Sequence, residues 1–494
     1  MIFNLIVAHT FKDNGIGKGN QLPWKLKKEL LYFKKVTTQT TDDDIIHYVN
    51  SVIMGRKTWD SIPESNKPLK DRLNIIITNK NIKSQNKFVI YCKWEDLQKN
   101  IIKFNNELHE VNNKIMNVYH NYIIGGQEIY NLALTQLNIT KIFTTEVYKK
   151  IECDKYFPRI QDNSNFIISN CSSFQRENNI YYRFIEYINK KSNFFKNSLI
   201  WKNLEEEKYL SIMRDILENG IERVDRTNVG TISQFGLTLK YNLEDTFPVS
   251  TTKRMFLRGI FEELMLYLRG QTDNKILNEK GINIWNGNTS RDFLDKRGLK
   301  DYQEGDMGET YGFNFRHFGG QYKGCQEKYT SNDGFDQLKY VIDLIKHNPT
   351  SRRIIINLWN PKTLNNAALP SCLCMYQFYV DTIHKTLNLQ IYIRSSDYFL
   401  ANNWNTCTGA LFVHMICSLI GVDLSPGILT VVCGDAHIYK THVTQVRENL
   451  SRQSYPFPKL IVQTRKNNIC DFKWDDFKLL GYRAHPGISA PMAV

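Results

Sequence analysis

No apolar run in this 494-residue chain approaches the roughly 18–20 residues that a membrane-spanning helix needs, which excludes a helical membrane protein. Its ten cysteines include no C-x-x-C pair and are too few for a disulfide framework. Cys372 and Cys374 form a lone C-x-C with no histidine cluster nearby. No metal site is expected there, and all ten cysteines read as reduced thiols. No repeat of about 20–50 residues and no heptad run is present, which excludes solenoids and long coiled coils. The opening MIFNLIVAHTF lacks a basic leading segment and a small-residue cleavage site, so it reads as a first strand of a cytoplasmic protein.

What is present is globular: 42% hydrophobic and 23% charged residues, in a length that calls for at least two domains. The net charge of +14 suits nucleic acid, small anionic substrates or a merely lysine-rich surface. No RNP signature, basic helix or zinc finger favours nucleic acid, which is therefore not required. The polar stretch at 189–204 separates two segments that each read as complete, predicting domains over 1–188 and 205–494. In the first, strand-like runs (Ile2–Ala8, Ser51–Met54, Asn74–Thr78, Phe88–Tyr91, Tyr122–Ile124, Ile142–Thr145) alternate with helical patterns, as in an α/β sheet covered on both faces. In the second, long helices at Glu205–Leu217 and Phe256–Leu268 precede strands at Arg353–Leu358 and Leu387–Ile393, an α+β pattern.

Three features of the first segment carry chemistry. Asn14-Gly15-Ile16-Gly17 with Leu22-Pro23-Trp24 makes a tightly turning, mobile loop and a rigid aromatic wall, or an ordinary surface loop. Glu29 shares the apolar face of a helix over Leu26–Val36 with Leu26 and Phe33. A lone acid there is usually shallow; buried in a cleft, it can hold or relay a proton for a heterocycle. Gly125-Gly126 stands between a strand and a helix starting near Gln127, where backbone amides suit a phosphate or simply a tight turn.

The order and spacing of GIGKGNQLPW, MGRKTWDSIP, PLKDR, IIGGQEIY and IFTTEV resemble dihydrofolate reductase over nearly the whole segment. The resemblance implies a central, mostly parallel sheet flanked by helices, with Glu29 as the acid facing the pteridine and Trp24 and the Gly15–Gly19 loop closing over it. It implies Ala8, Phe33, Ile62, Arg72 and Thr145 at the folate, with Arg72 placed for the glutamate carboxylate. For NADPH it implies Ala8, Ile16, Gly17, Arg56, Lys57, Thr58, Thr78, Asn79, Gly125, Gly126, Gln127 and Tyr130. Asn79 stands where an arginine often meets the 2′-phosphate, a role Arg56 and Lys80 can take.

In the second segment Pro370-Ser371-Cys372 follows a buried strand and precedes Tyr376–Val380. A lone cysteine is usually structural, but a thiolate lowered by cationic neighbours attacks electron-poor carbon. Arg226, Arg352, Arg353 and Arg394 at strand or loop ends could bind a phosphate and favour that thiolate, or be solvated surface charge. Glu263, between Ile260 and Tyr267 on an apolar helix face, is either a satisfied structural acid or a proton relay.

DRTNVGTISQFG, FPVSTTKRMF, EELMLYLRG, TYGFNFRHFG, RRIIINLWNP, LPSC, IRSSD, GDAHIY and the final APMAV resemble thymidylate synthase across about 205–494. The resemblance implies Cys372 as the nucleophile toward C6 of dUMP, Glu263 and Tyr311 as the proton network, and Asn405 as the reader of the uracil edge. It implies His437 and Tyr439 at the sugar, Arg226, Arg394 and Ser395 at the phosphate, and Asp397 at the folate. Arg352 and Arg353 would reach the partner subunit's phosphate, making a homodimer through this domain. Three departures stand out: Leu373 where a histidine is usual, Asn286 for the aspartate of I-W-D, and Ala401-Asn402-Asn403-Trp404 for G-V-P-F.

Together the resemblances imply a bifunctional enzyme using NADPH and 5,10-methylenetetrahydrofolate, without metal. Dianionic dUMP, NADPH and glutamate-tailed folates all suit a positive surface. Two alternatives remain: dUMP hydroxymethylation, motivated by the altered packing at 402–404, and an inactive nucleic-acid-binding relative.

Overall fold

The computed structural model describes residues 1–40, 46–107, 109–111, 114–160, 163–224 and 229–492. They form two compact units, Met1–Trp201 and Lys202–Val494. The boundary falls inside the polar stretch at 189–204. Asn189 still ends a strand, and the Trp201 backbone N–H donates to the Ile168 carbonyl, so much of that stretch packs on the first unit.

The first unit is built on one sheet in the order Phe166–Cys171, Ile180–Asn189, Ile139–Val147, Phe3–Thr10, Lys114–Gly125, Ile46–Gly55, Arg72–Ile77 and Val89–Cys92. The last six run parallel, and the first two are antiparallel to their neighbours. Phe3–Thr10 lies mid-sheet and is buried along nearly its whole length, its apolar stretch Leu5–Ala8 flanked by the buried polar Asn4, His9 and Thr10, as befits a strand covered on both faces. All six strands legible in the sequence are present, most of them longer than the apolar runs that announced them. The antiparallel edge was missed, although IYYRFIEYIN at Ile180–Asn189 carries the aromatic and β-branched residues of a strand. The chain leaves Phe3–Thr10 to build Ile46–Gly55 on one side and returns to place Ile139–Val147 on the other. This reversal opens a crevice at the carboxyl ends of the strands.

The second unit holds a six-stranded sheet ordered Ile221–Arg223, Thr231–Asn242, Ser425–Tyr439, Thr386–Asp397, Leu373–Asp381 and Ile355–Asn357. Only the central pair, Thr386–Asp397 with Ser425–Tyr439, is parallel. Helices Leu204–Asn219, Leu257–Leu268 and Asn402–Cys417 supply much of the single large core. Helix Asn402–Cys417 is buried on nearly every side, consistent with its apolar composition. The strand expected over Arg353–Leu358 shrinks to Ile355–Asn357, because Arg352 and Arg353 are exposed and the Ile355 N–H turns back to the Arg353 carbonyl. Cys372 does not follow a buried strand directly: a 3-10 turn at Pro361–Asn366 intervenes, and Cys372 immediately precedes Leu373–Asp381.

Among the described residues, no helix is long and apolar enough to cross a membrane, and no group of three or more His, Cys, Asp or Glu side chains could hold a metal ion. All ten cysteines are free thiols.

Candidate functional site

Helix Lys27–Thr38 inverts the usual pattern. Its buried positions are Glu29 and Thr37, whereas Leu30 and Leu31 are 54% and 65% exposed. A helix that hides an acid and shows leucines lines a cleft. Burial alone pushes the Glu29 carboxyl up to about 7, so near neutrality it both holds and releases a proton. The helix start is fixed from outside: Glu177 accepts from the Lys27 and Lys28 backbone N–H groups at 2.7 and 3.2 Å. Eight residues on, about 12 Å along the axis, Arg72 donates to Thr37 Oγ1 at 2.8 Å and its guanidinium lies 5.9 Å from the Phe33 ring. Phe33 and Ile62 border one apolar cluster between these charged ends. Ala8 and Thr145 sit opposite each other on paired strands.

The second half of the crevice is backbone. Helix Gln127–Gln136 begins at Gly126 and helix Arg56–Ser61 at Gly55, both without a side-chain cap, leaving amide donors unsatisfied. Gly125 has φ of 128°, which a residue with a Cβ rarely adopts, and a Cβ on Gly126 would stand 3.2 Å from Thr58 Oγ1. These features fit a dinucleotide's phosphates, with the exposed Arg56 and Lys57 adding charge. Thr78 and Asn79 follow the carboxyl end of Arg72–Ile77. Two expected contributors are committed elsewhere: Gln127 Oε1 accepts from the Tyr156 N–H at 2.9 Å, and the buried Tyr130 hydroxyl donates to the Ile6 carbonyl at 2.8 Å. The Gly15–Gly19 loop is also more tied down than expected. Gly15–Gly17, including Ile16, pairs with Lys155–Tyr156, and the Gly19 N–H reaches Asp154 at 3.0 Å. Trp24 is buried among Leu26, Val147, Ile180 and Tyr182.

In the second unit, Cys372 is half-buried beside Arg394, whose Nη2 lies 3.9 Å from Sγ. A cation at that distance favours the thiolate. Arg394 is held by donating to the Ser371 and Pro370 carbonyls at 3.0 and 3.1 Å, and its guanidinium lies 5.0 Å from the Trp359 ring. Tyr311 accepts from the Cys372 N–H at 2.8 Å and stacks on Tyr267 at 4.8 Å. Tyr267 donates to Glu263 Oε1 at 2.9 Å. Trp285 donates to the same oxygen at 2.8 Å, and Trp404 donates to Oε2 at 2.7 Å. Burial raises the Glu263 carboxyl, and the three donors oppose that rise.

The carboxyl ends of the parallel pair gather the remaining residues. Ser395 pairs with Asp435, and Asp397 with His437. His437 Nδ1 lies 3.2 Å from Asp435, which also meets Arg223 at 3.1 Å. Tyr439 packs edge-on against His437. Asp397 Oδ1 accepts from the Phe399 and Leu400 N–H groups, and Oδ2 lies 3.9 Å from His442. Asn405 is half-buried on the first turn of its helix, with its amide unpaired among the described residues. Arg226 lies outside the described residues. Arg352 and Arg353 are exposed.

Four of the departing residues, Leu373, Asn286, Asn402 and Asn403, are engaged within the fold. Leu373 is buried in the core. Asn286 accepts from Asn274 at 2.9 Å. Asn402 donates to Ser396 and Cys433, and Asn403 bridges the Pro248 carbonyl and the Ser250 N–H. The altered packing at 402–403 is thus spent inside the protein. Sequence reasoning missed Trp285, Tyr267, Trp359 and Asp435. Tyr267 and Trp285 were visible only as apolar or motif residues, whereas Asp435, two residues before His437 on one strand face, could have been found from that spacing.

Comparison with known proteins agrees with this division. The family described as dihydrofolate reductase matches residues 2–189, and that described as thymidylate synthase matches 207–494. A bifunctional dihydrofolate reductase-thymidylate synthase from Paramecium tetraurelia is 40% identical, the match covering 100% of this chain and 99% of that protein. Proteins of the same description from Glycine max and Leishmania major are 38% and 34% identical, each match covering 100% of this chain and 95% of the relative.

Proposed function

Because the chain belongs to the bifunctional dihydrofolate reductase-thymidylate synthase family, we propose that the two clusters above are its two active sites, each with the residue roles that follow. The enzyme converts dUMP to dTMP with methylenetetrahydrofolate and reduces dihydrofolate to tetrahydrofolate with NADPH. Nothing in the comparisons favours hydroxymethylation or an inactive nucleic-acid-binding relative.

The observation that carries the synthase reading is the contact series Arg394–Cys372–Tyr311–Tyr267–Glu263. Cys372 Sγ, as thiolate, bonds to C6 of dUMP, and the C5–C6 π electrons shift toward C5 and O4. C5 then bonds the one-carbon unit as that carbon's bond to one folate nitrogen breaks. C5 loses its hydrogen as a proton while the bond to the second nitrogen breaks. Hydride from the tetrahydrofolate so formed reduces the methylene to methyl as the S–C6 bond breaks, leaving dTMP and dihydrofolate. Glu263 manages protons at the pyrimidine, and the free amide of Asn405 pairs with the uracil edge. Arg394 and Ser395, with Arg226, bind the phosphate, while His437, its ring set by Asp435, and Tyr439 meet the sugar. Asp397 meets the folate. The exposed Arg352 and Arg353 complete the phosphate site of a second copy, making the enzyme a homodimer.

In the reductase, Glu29 holds the proton for the pteridine, Phe33 and Ile62 wall the ring system, Ala8 and Thr145 border it, and Arg72 pairs with the glutamate carboxylate. The spacing of about 12 Å between Glu29 and Thr37 suits a substrate with a heterocycle at one end and a carboxylate at the other. NADPH, when bound, supplies a hydride. Gly17, Thr58, Thr78, Asn79 and the backbone at Gly125–Gln127 would hold it, with Ile16 and Tyr130 as apolar packing. Arg56, Lys57 and Lys80 would carry the charge recognition. Free thiols throughout support a cytoplasmic setting.

The test is a pair of lesions in one chain. Cys372→Ser should abolish dTMP formation and leave NADPH oxidation with supplied dihydrofolate intact. Glu29→Gln should do the reverse. Either lesion silencing both reactions would refute the assignment of separate sites.

A further inference from the structure

Glu263 is clamped more fully than the synthase reading requires. An ionised carboxylate offers about four lone-pair positions. Tyr267 and Trp285 take two on Oε1, and the Trp404 indole takes one on Oε2 at 2.7 Å. One position on Oε2 remains for water or substrate.

Trp404 replaces the phenylalanine that usually ends this run, a ring with no donor. A second position leaves room for the indole. Gly259 lies one turn before Glu263 on helix Leu257–Leu268, and a Cβ there would stand 2.9 Å from Trp404 Cη2 and 2.7 Å from Phe256 Cδ1. Glycine inside a helix weakens it by roughly 1 kcal/mol relative to alanine, so the space it leaves has a use. Trp404 also directly precedes Asn405, so one helical turn both pins the acid and presents the uracil-reading amide.

We propose that Trp404 is a positioning residue of the synthase, fixing the Glu263 carboxylate through Oε2 in a space that Gly259 keeps open. The inference rests on the reading of Glu263 as the proton-managing acid. Donation to the charged form favours it, so the indole holds the carboxyl lower than burial alone would. The titratable groups facing Glu263 are Tyr267 on its own helix, Tyr311 on helix Tyr311–Arg316 and Tyr376 on strand Leu373–Asp381. Burial raises all three, so they stay neutral through the working range and do not compete.

The test measures kcat and KM for dTMP formation against pH in the full chain, for Trp404→Phe, Gly259→Ala, their combination, and Glu263→Gln. NADPH oxidation by the reductase and the unfolding profile are followed in each preparation. Trp404→Phe should lower kcat about tenfold, move its acid limb up by about one pH unit, and leave KM for dUMP within about twofold. Gly259→Ala should act in the same direction by displacing the indole, and adding it to Trp404→Phe should cost little more. An unmoved acid limb in Trp404→Phe, or fully additive effects of the two substitutions, would overturn the proposal. Should Trp404→Phe fail to fold, the acid limb of Gly259→Ala decides alone. If Glu263→Gln abolishes dTMP formation while Trp404→Phe is silent, only this inference fails. If Glu263→Gln remains active, the underlying reading of Glu263 fails with it.

Discussion

The phenolic oxygen of Tyr311 accepts a hydrogen bond from the Cys372 backbone N–H at 2.8 Å. Cys372 is therefore positioned through its main chain, with Arg394 beside its sulfur. Tyr311→Phe would remove the acceptor and leave that N–H unpaired, at about 1 kcal/mol if water does not replace it. We expect dTMP formation to fall roughly tenfold through misplacement of Sγ, with reductase activity unchanged. Steady-state assays of both reactions on one preparation check this; an unaffected synthase rate would show that Tyr311 is only core packing.

Glu29 makes a pH prediction with a definite sign. Its carboxyl lies near 7 in the folded chain against 4.5 for the free group, so between these values the folded state binds more protons than the unfolded one. Stability is then lost as pH rises from about 4.5 to 7, by on the order of 3 kcal/mol. Glu29→Gln removes this dependence. The reductase unit of the variant should resist denaturant better than wild type at pH 8, and the two should converge at pH 4.5. Wild-type reduction should fall about tenfold per pH unit above 7 as the proton is lost.

The exposure of Arg352 and Arg353 predicts complementation between subunits. Cys372→Ser and the double variant Arg352→Ala/Arg353→Ala should each be nearly inactive as synthases. In a mixed dimer one site carries both lesions and the other carries none. Random reassociation of equal amounts makes half the dimers mixed, so about a quarter of wild-type activity should return. No recovery on mixing, with dimers present, would place the arginines outside the partner's site.

The parallel core of the first unit was legible because a strand buried on both faces carries a continuous apolar run, as Leu5–Ala8 does within Phe3–Thr10. The antiparallel strands were less legible because they carry polar residues, as Arg183 and Glu186 do within Ile180–Asn189. Glu29 and Cys372 could be singled out from residue type and setting, but the partners that tune them could not. Trp285 and Trp404 reach Glu263 from segments remote in the chain, and such convergence is a property of the fold. Likewise, Gln127 and Tyr130 occupy the expected positions, yet their side chains are committed to Tyr156 and Ile6 by pairings that only the assembled sheet creates.

The most direct test of the account is a single reaction holding the purified chain, dUMP, methylenetetrahydrofolate and NADPH, with no dihydrofolate added. Nucleotide mass and NADPH absorbance are followed together. The account predicts dTMP, with one NADPH oxidised for each dTMP formed, because the dihydrofolate released at one site is the substrate of the other. Absence of dTMP, dTMP without matching NADPH oxidation, or a nucleotide that gains a hydroxymethyl group would contradict it.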